Sequence, residues 1–331
     1  MEFSTGDNLF TSNFKFSGML FKKIKNNQYF YFFFKLLLLG FIVFVLDFSI
    51  GSILRYYYFK QEVGRDARAT YAIEKTYADI LIFGSSRAYH QYIPTIFEEK
   101  TKQSCYNTGS PGVFLLHSYA VLKAVLKRYT PKLIVLDINS GDLGVERESY
   151  DALSFLMPYY AHHKEIRPIV DLKDAFERIK NTSSIYPFNS QIFMIAGGNL
   201  EYFKKRNIDI KGYKPLNRIW NESIKTRDSN PYPLDTTKVD ILKYFIRDCK
   251  RAGIKLVIVF SPMYFNYTKT EYSVTIAKQI ANEEHICFFD FTNDTFFIKH
   301  PVLFDDPTHL NNDGAMLFTN KIVDSISRCV H

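Results

Sequence analysis

Apolar residues fall in two arrangements along this chain. From 36 to 54 they run nearly unbroken, interrupted only by Asp47, serines and glycines. Beyond 78 they come in short runs of strand length, at 79–83, 104–106, 132–138, 255–260 and 286–291. Between these lie segments with helical spacing, at 91–102, 113–128, 236–252, 271–284 and 312–329. The opening third reads βαβαβ, which argues for a parallel sheet. The run at 132–138 is almost wholly apolar, as a strand covered on both faces should be. The alternation breaks over 143–235, which is rich in Tyr, Phe, Pro and Asn. We read this stretch as an insertion with some helix, for example around 172–180. Insertions at the C-terminal edge of a sheet commonly become lids or substrate walls. No internal repeat or low-complexity segment is evident.

The run at 36–54 holds nineteen residues, enough to span a bilayer as a helix. Aromatics at 29–34 and Tyr56 to Tyr58 flank it like interfacial belts. Lys15, Lys22, Lys23 and Lys25 precede it, so the N-terminus is expected in the cytoplasm and the rest outside. A carboxylate in lipid costs about 3 kcal/mol. Asp47 is therefore expected near the outer interface or in a helix–helix contact. The run starts late and no small-residue cleavage site follows, so it reads as an uncleaved anchor. The expected organisation is a cytoplasmic tail (1–35), a transmembrane helix (36–54), a charged, partly helical linker (55–77) and a catalytic-type domain (78–331) carrying the insertion 143–235.

Composition narrows the function classes. With 331 residues, 47% of them hydrophobic, the chain can bury a large core. The net charge of +8 comes from scattered basic residues, with no stretch dense enough to track a phosphate backbone, so nucleic acid is not an expected partner. Aromatics reach 17%, which suits either a glycan- or acyl-binding surface or a biased core. Cys105, Cys249, Cys287 and Cys329 show no CxxC spacing, so no zinc site is expected. Cys105 and Cys287 fall in predicted strands as small buried thiols. A disulfide such as Cys249–Cys329 cannot be deduced from spacing. His162 and His163 lack carboxylates at ligand spacing, and neither metal nor cofactor is expected.

The stretch 78–87 carries the candidate chemistry. An apolar strand ends at Gly84, and Ser85 and Ser86 follow where a helix begins. Glycine permits the sharp turn, and the helix start offers free backbone N–H groups. Serine needs a base and an orienting acid to act as a nucleophile. Asp305-Asp306-Pro307-Thr308-His309 supplies such a pair. The turn from Asn107 to Gly112 supplies backbone that could face a developing oxyanion. All three turns belong to the C-terminal edge of a parallel sheet, where open α/β folds place their sites.

These blocks resemble the SGNH (GDSL-like) hydrolase superfamily, in a membrane-anchored, polysaccharide-associated branch. Gly84-Ser85-Ser86 matches the first block, whose third residue is the nucleophile. Gly112 matches the oxyanion-hole glycine of the second. Asp306-Pro307-Thr308-His309 matches the final Asp-x-x-His, with His309 as base and Asp306 as its partner. The resemblance covers roughly 78–142 and 236–329. It implies an α/β, flavodoxin-like three-layer α/β/α fold with a five-stranded parallel sheet, preceded here by one transmembrane helix. Two departures stand out. Gly-Ser-Ser replaces Gly-Asp-Ser, which makes Ser85 a rival to Ser86. Gly141 stands where the third block has an oxyanion-hole Asn. Either Asn139 reaches in, or the hole rests on the backbone of Ser86 and Gly112. An α/β-hydrolase ranks behind, because Gly84-x-Ser86-x-Ala88 breaks the Gly-x-Ser-x-Gly elbow.

The implied function is a membrane-anchored serine esterase or O-acyltransferase acting on ester-linked acyl groups, acetyl above all, of a cell-envelope glycan. Alternatives are an esterase or lipase on small or lipid esters, and a catalytically silent scaffold in polysaccharide assembly. Implied partners are the acyl-ester substrate and a membrane-protein acyl donor. The expected location is the cell membrane, single-pass, with the catalytic domain extracytoplasmic (periplasmic in a Gram-negative cell). His90 reads as a satisfied surface histidine or a substrate contact, and Tyr264 as a pocket or packing residue. Gly212-Tyr213-Lys214-Pro215-Leu216 reads as an ordered turn without assigned chemistry.

Overall fold

A computed structural model describes residues 28–200, 209–228 and 231–329. Lys15 to Lys25 lie outside them. The first element is a continuous 33-residue helix, α1 (Gln28–Lys60), long and apolar enough to cross a membrane. At 1.5 Å per residue it is about 50 Å long, more than the ~30 Å hydrocarbon core requires. Its first half is exposed all round, whereas Gly51 and Tyr58 are buried because its end docks on the globular part. Tyr58 is therefore not a belt residue: its ring sits 5.9 Å from Tyr159 and 5.7 Å from Phe188. The stretch 55–77 stays helical to Lys60, then again through Arg65–Thr70 and Tyr71–Lys75. It is held against the domain by Arg128, which donates to the carbonyls of Ala72, Ile73 and Thr76.

Five strands form one parallel sheet: β1 (Ile80–Phe83), β2 (Cys105–Asn107), β3 (Leu133–Asp137), β4 (Lys255–Phe260) and β5 (Cys287–Asp290). Their order is β2-β1-β3-β4-β5, the flavodoxin-like doubly wound arrangement. Side chains alternate between two cores. Leu81, Phe83, Ile134, Leu136 and Ile258 enter one. Ile80, Ile82, Val135, Val257 and Val259 enter the other.

Helices α2 (Ser86–Gln91), α3 (Pro94–Thr101), α4 (Leu115–Arg128), α5 (Thr236–Arg251), α6 (Tyr272–Glu283) and α7 (Asn312–Cys329) cover the faces. Helix α5 shows how its sequence does this. Ile241, Leu242, Phe245, Ile246 and Cys249 recur at helical spacing and are buried, while Asp235 caps the start by accepting from the backbone of Thr237 and Lys238. With α4 and α6 it fills the first core, and α3 and α7 fill the second. Truncating Phe245 to alanine would cost about 3–5 kcal/mol. Among the described residues the insertion holds short elements, including Arg167–Val170, Glu177–Lys180, Ile192–Asn199 and a strand Lys225–Arg227 that pairs in parallel with Phe265–Tyr267.

The cysteine reading is corrected. Cys287 is bonded to Cys329, joining β5 to the end of α7. Cys249 is a free buried thiol. It lies in the first core while α7 packs on the second, so the sheet separates Cys249 from Cys329. Replacing Cys287 with serine, or reducing the wild type, is expected to lower stability by about 2–4 kcal/mol. Thermal melts with and without reductant check this, and coincident melts would mean that the bond does not form.

Candidate active site

The site is built where β1, β2, β3 and β4 end. At Gly84 the chain turns sharply from β1 into α2, with φ of +145°. A Cβ there would lie 2.7 Å from the Asp137 carbonyl oxygen and 2.8 Å from the Ala88 Cβ, so only glycine fits. Ser86 is the first residue of α2, and its Oγ lies 2.8 Å from His309 Nε2. On the facing loop, the short antiparallel strands Phe304–Asp306 and His309–Leu310 pair Asp306 directly with His309. The Asp306 Oδ1 accepts from Thr308 N at 2.8 Å, Thr308 Oγ1 at 2.7 Å and His309 N at 3.0 Å. Its Oδ2 lies 2.8 Å from His309 Nδ1. Burial alone would raise the Asp306 carboxyl, but its bonds from His309 and Thr308 hold it well below the usual range. An ionised Asp306 places the imidazole proton on Nδ1 and leaves Nε2 to accept from the Ser86 hydroxyl.

This loop is fixed from outside. Tyr264 N donates to the Pro307 carbonyl at 2.7 Å, and Gln91 Nε2 donates to the Thr308 carbonyl at 3.1 Å. Tyr264 itself packs its ring 5.3 Å from that of Phe304. Asp305 turns away from the site and binds Arg218 at 2.9 Å.

Asn139 enters the same constellation. Its Oδ1 accepts from Ser85 Oγ at 2.8 Å and from Arg87 Nε at 3.2 Å. With the oxygen committed, the amide nitrogen is the end left to donate. Asn139, Gly112 and Ser86 line one pocket of about 290 Å³, together with Val113, Phe114 and Met263. The Ser86 N–H, first in its helix, has no intrahelical acceptor. Gly141 turns elsewhere, against the Glu146 carboxylate. Ser85 is buried with its hydroxyl spent on Asn139, so the hydroxyl that reaches His309 belongs to Ser86. Asn107 braces the turn below: its Nδ2 donates to the Ala88 and Tyr92 carbonyls at 2.7 and 3.0 Å.

Several residues here escaped the sequence reading. Arg87 is buried and its Nη2 meets Asp137 Oδ1 at 3.0 Å. The same guanidinium donates to the Ile138 and Ser261 carbonyls and lies 4.4 Å above the Phe260 ring. Tyr92 donates its hydroxyl to the other oxygen of Asp137. The signal was an Asp closing an otherwise apolar strand and an Arg directly after the serines. His90 is half-buried and satisfied. Its Nδ1 donates to the Lys214 carbonyl at 2.7 Å, and its ring meets that of His309 edge-on at 5.6 Å. Burial pushes its pKa down to about 4, so it is a neutral buttress. Lys214 belongs to the unassigned turn, whose Lys211 carbonyl also accepts from Asn107 N at 3.0 Å. Remote from the site, His163 does have carboxylates: Glu165 at 2.6 Å and Glu74 at 2.7 Å. The reading that it lacked such neighbours missed Glu74, which the fold brings in from far upstream.

No family model matches the chain, and no curated protein matches it. Among solved structures it is similar to a Bacteroides fragilis NCTC 9343 crystal structure provisionally assigned as an acylhydrolase. The two share 12% identity over 76% of this chain and 88% of that one, with a TM-score of 0.39. A likeness at that level carries no argument about chemistry, which rests on the distances above.

Asp142 gives a test of the site's electrostatics. Its Oδ2 accepts from Asn139 N at 2.7 Å, its Oδ1 has no partner, and burial pushes its pKa up to about 7. A raised carboxyl favours the neutral form in the fold. Its stability cost is therefore absent below the ordinary value of 3.8, grows with pH, and levels off above about 7. Asp142→Asn keeps the acceptor and removes the charge. It is expected to be near neutral at pH 4 and to stabilise by about 1–4 kcal/mol at pH 8. Denaturant unfolding at both values decides it, and a pH-independent difference would refute the assignment.

Proposed function

We propose that this protein is a membrane-anchored serine esterase or O-acyltransferase of the SGNH type, acting on ester-linked acyl groups of a cell-envelope glycan. The observation that carries the reading is the continuous chain from Ser86 Oγ through His309 to Asp306, at 2.8 Å on each side of the imidazole. In the proposed mechanism His309 Nε2 takes the proton from Ser86 Oγ as that oxygen attacks the acyl carbon. The oxyanion that develops is held by the Ser86 and Gly112 backbone N–H groups and the Asn139 amide. Such donors are worth about 3–4 kcal/mol each in barrier. The C–O bond to the sugar then breaks, and His309 returns its proton to the departing alkoxide. Water or a second hydroxyl, deprotonated by His309, attacks the acyl-Ser86 ester and frees the serine. Asp306 stays ionised throughout and stabilises the imidazolium.

The pocket supports short acyl groups, since Val113, Phe114 and Met263 offer apolar walls beside the polar donors. The glycan assignment leans on the resemblance and on the anchor. An extracytoplasmic domain is supported by the lysines preceding the span and by the Cys287–Cys329 bond, which suits an oxidising compartment. The assembled acid–base–nucleophile row weighs against a silent scaffold.

The full chain in detergent is expected to react with a fluorophosphonate probe and to hydrolyse an aryl acetate. Ser86→Ala should abolish labelling and lower turnover about 10⁴-fold or more. Ser85→Ala should keep labelling while slowing it roughly 10-fold, because Asn139 loses its orienting donor. Labelling that survives in Ser86→Ala would move the nucleophile. Absence of labelling in folded wild type would favour the scaffold. Adding an oligosaccharide acceptor separates transfer from hydrolysis by the fate of the acyl group.

A further inference from the structure

We infer that the insertion is itself seated in the membrane: helix Ile192–Asn199 and the apolar side chains beside it lie among lipid acyl chains of the leaflet from which the globular part emerges. This rests on reading α1 as a membrane span.

The first observation is the surface of that helix. Its sequence, IFMIAGGN, has no polar side chain before its last residue. Phe193 is 91% exposed, Met194 50% and Ile192 45%, while Ile195 alone turns into the core. Nearby in sequence, Phe176 is 61% and Ile179 66% exposed. Single exposed apolar residues are ordinary, but a helix that presents this many large ones marks an interaction surface.

The second observation is where the surface sits. The helix packs along α1, and Asn199 Nδ2 donates to the Tyr57 carbonyl at 2.9 Å. Its apolar face thus continues the exposed apolar face of the span itself.

The third observation is Asp47. The Ser183 hydroxyl and the backbone N–H groups of Ser184 and Ile185 reach its carboxylate at 2.5, 2.6 and 3.3 Å. Gly51, one turn on, lets the chain approach closely: a Cβ there would lie 2.5 Å from the Ser184 carbonyl. Asp47 stands seven residues before the apolar run ends at Leu54, roughly 10 Å further down the helix axis. A carboxylate at that depth needs donors in place of water, and the insertion supplies three. The segment that supplies them must descend equally far, and the apolar surface descends with it. Lipid, rather than a protein partner, is the occupant because the helix packs on the span itself and the segment leading into it reaches the depth of Asp47.

The test uses the full chain in phosphatidylcholine liposomes whose acyl chains carry bromine, a contact quencher of tryptophan. Trp220 is the sole tryptophan, and Trp220→Phe gives a dark background. Single reporters are then placed by Phe41→Trp in the span and by Phe193→Trp or Met194→Trp in the insertion. Their exposure makes each tolerable to the fold. All three are expected to be quenched several times more strongly than Trp220 in the unaltered chain. A quenched Phe41→Trp with bright reporters at 193 and 194 would overturn the inference, placing that helix in water or under another protein. Bright reporters at all three positions would remove the span reading, and the inference with it.

Discussion

The active edge depends on one buried ion pair. Arg87 and Asp137 meet beneath the pocket, and neither is accessible to solvent. Burying two charges is expensive, and the expense is offset only when every remaining donor and acceptor is engaged. Here the guanidinium also reaches two carbonyls and Asn139, and the carboxylate also takes the Tyr92 hydroxyl. The ends of β1, β3 and β4 are thereby locked to one another. Ser86 sits directly before Arg87 and Asn139 two residues after Asp137, so the Ser86 hydroxyl and the Asn139 amide inherit their positions from this pair. Removing either charge alone would strand the other, at about 3–5 kcal/mol.

The sheet was legible in the sequence because each strand is an apolar run bounded by turn residues, and every main-sheet strand falls within a residue or so of its expected limits. The proximity of Ser86, His309 and Asp306 was legible for a different reason. Asp306 and His309 lie so close in the chain that a two-residue turn pairs them, and Gly84 announces a forced turn before Ser86. What stayed hidden was long-range. Arg87 and Asp137 each stand out locally, but nothing local pairs them or seats His90 against His309, since each contact joins residues from separate elements. The Cys287–Cys329 bond was hidden likewise, because strand order decides which cysteines share a face of the sheet.

Ser85 and Asn139 are coupled through their side chains. The Asn139 oxygen accepts from Ser85 Oγ, so the middle residue of Gly84-Ser85-Ser86 decides which end of that amide faces the pocket. A carboxylate at position 85 would present no donor to the Asn139 oxygen, and the amide would lose its reason to face the pocket.

Helix α7 has no free end. It starts three residues after His309, and its last residue is covalently tied to β5. Helix ends ordinarily fray, and fraying propagates inward as local opening. With its tail bonded to the sheet, fraying from that end is suppressed. The covalent tie thus makes the far end of the helix that follows His309 part of the sheet rather than a loose end.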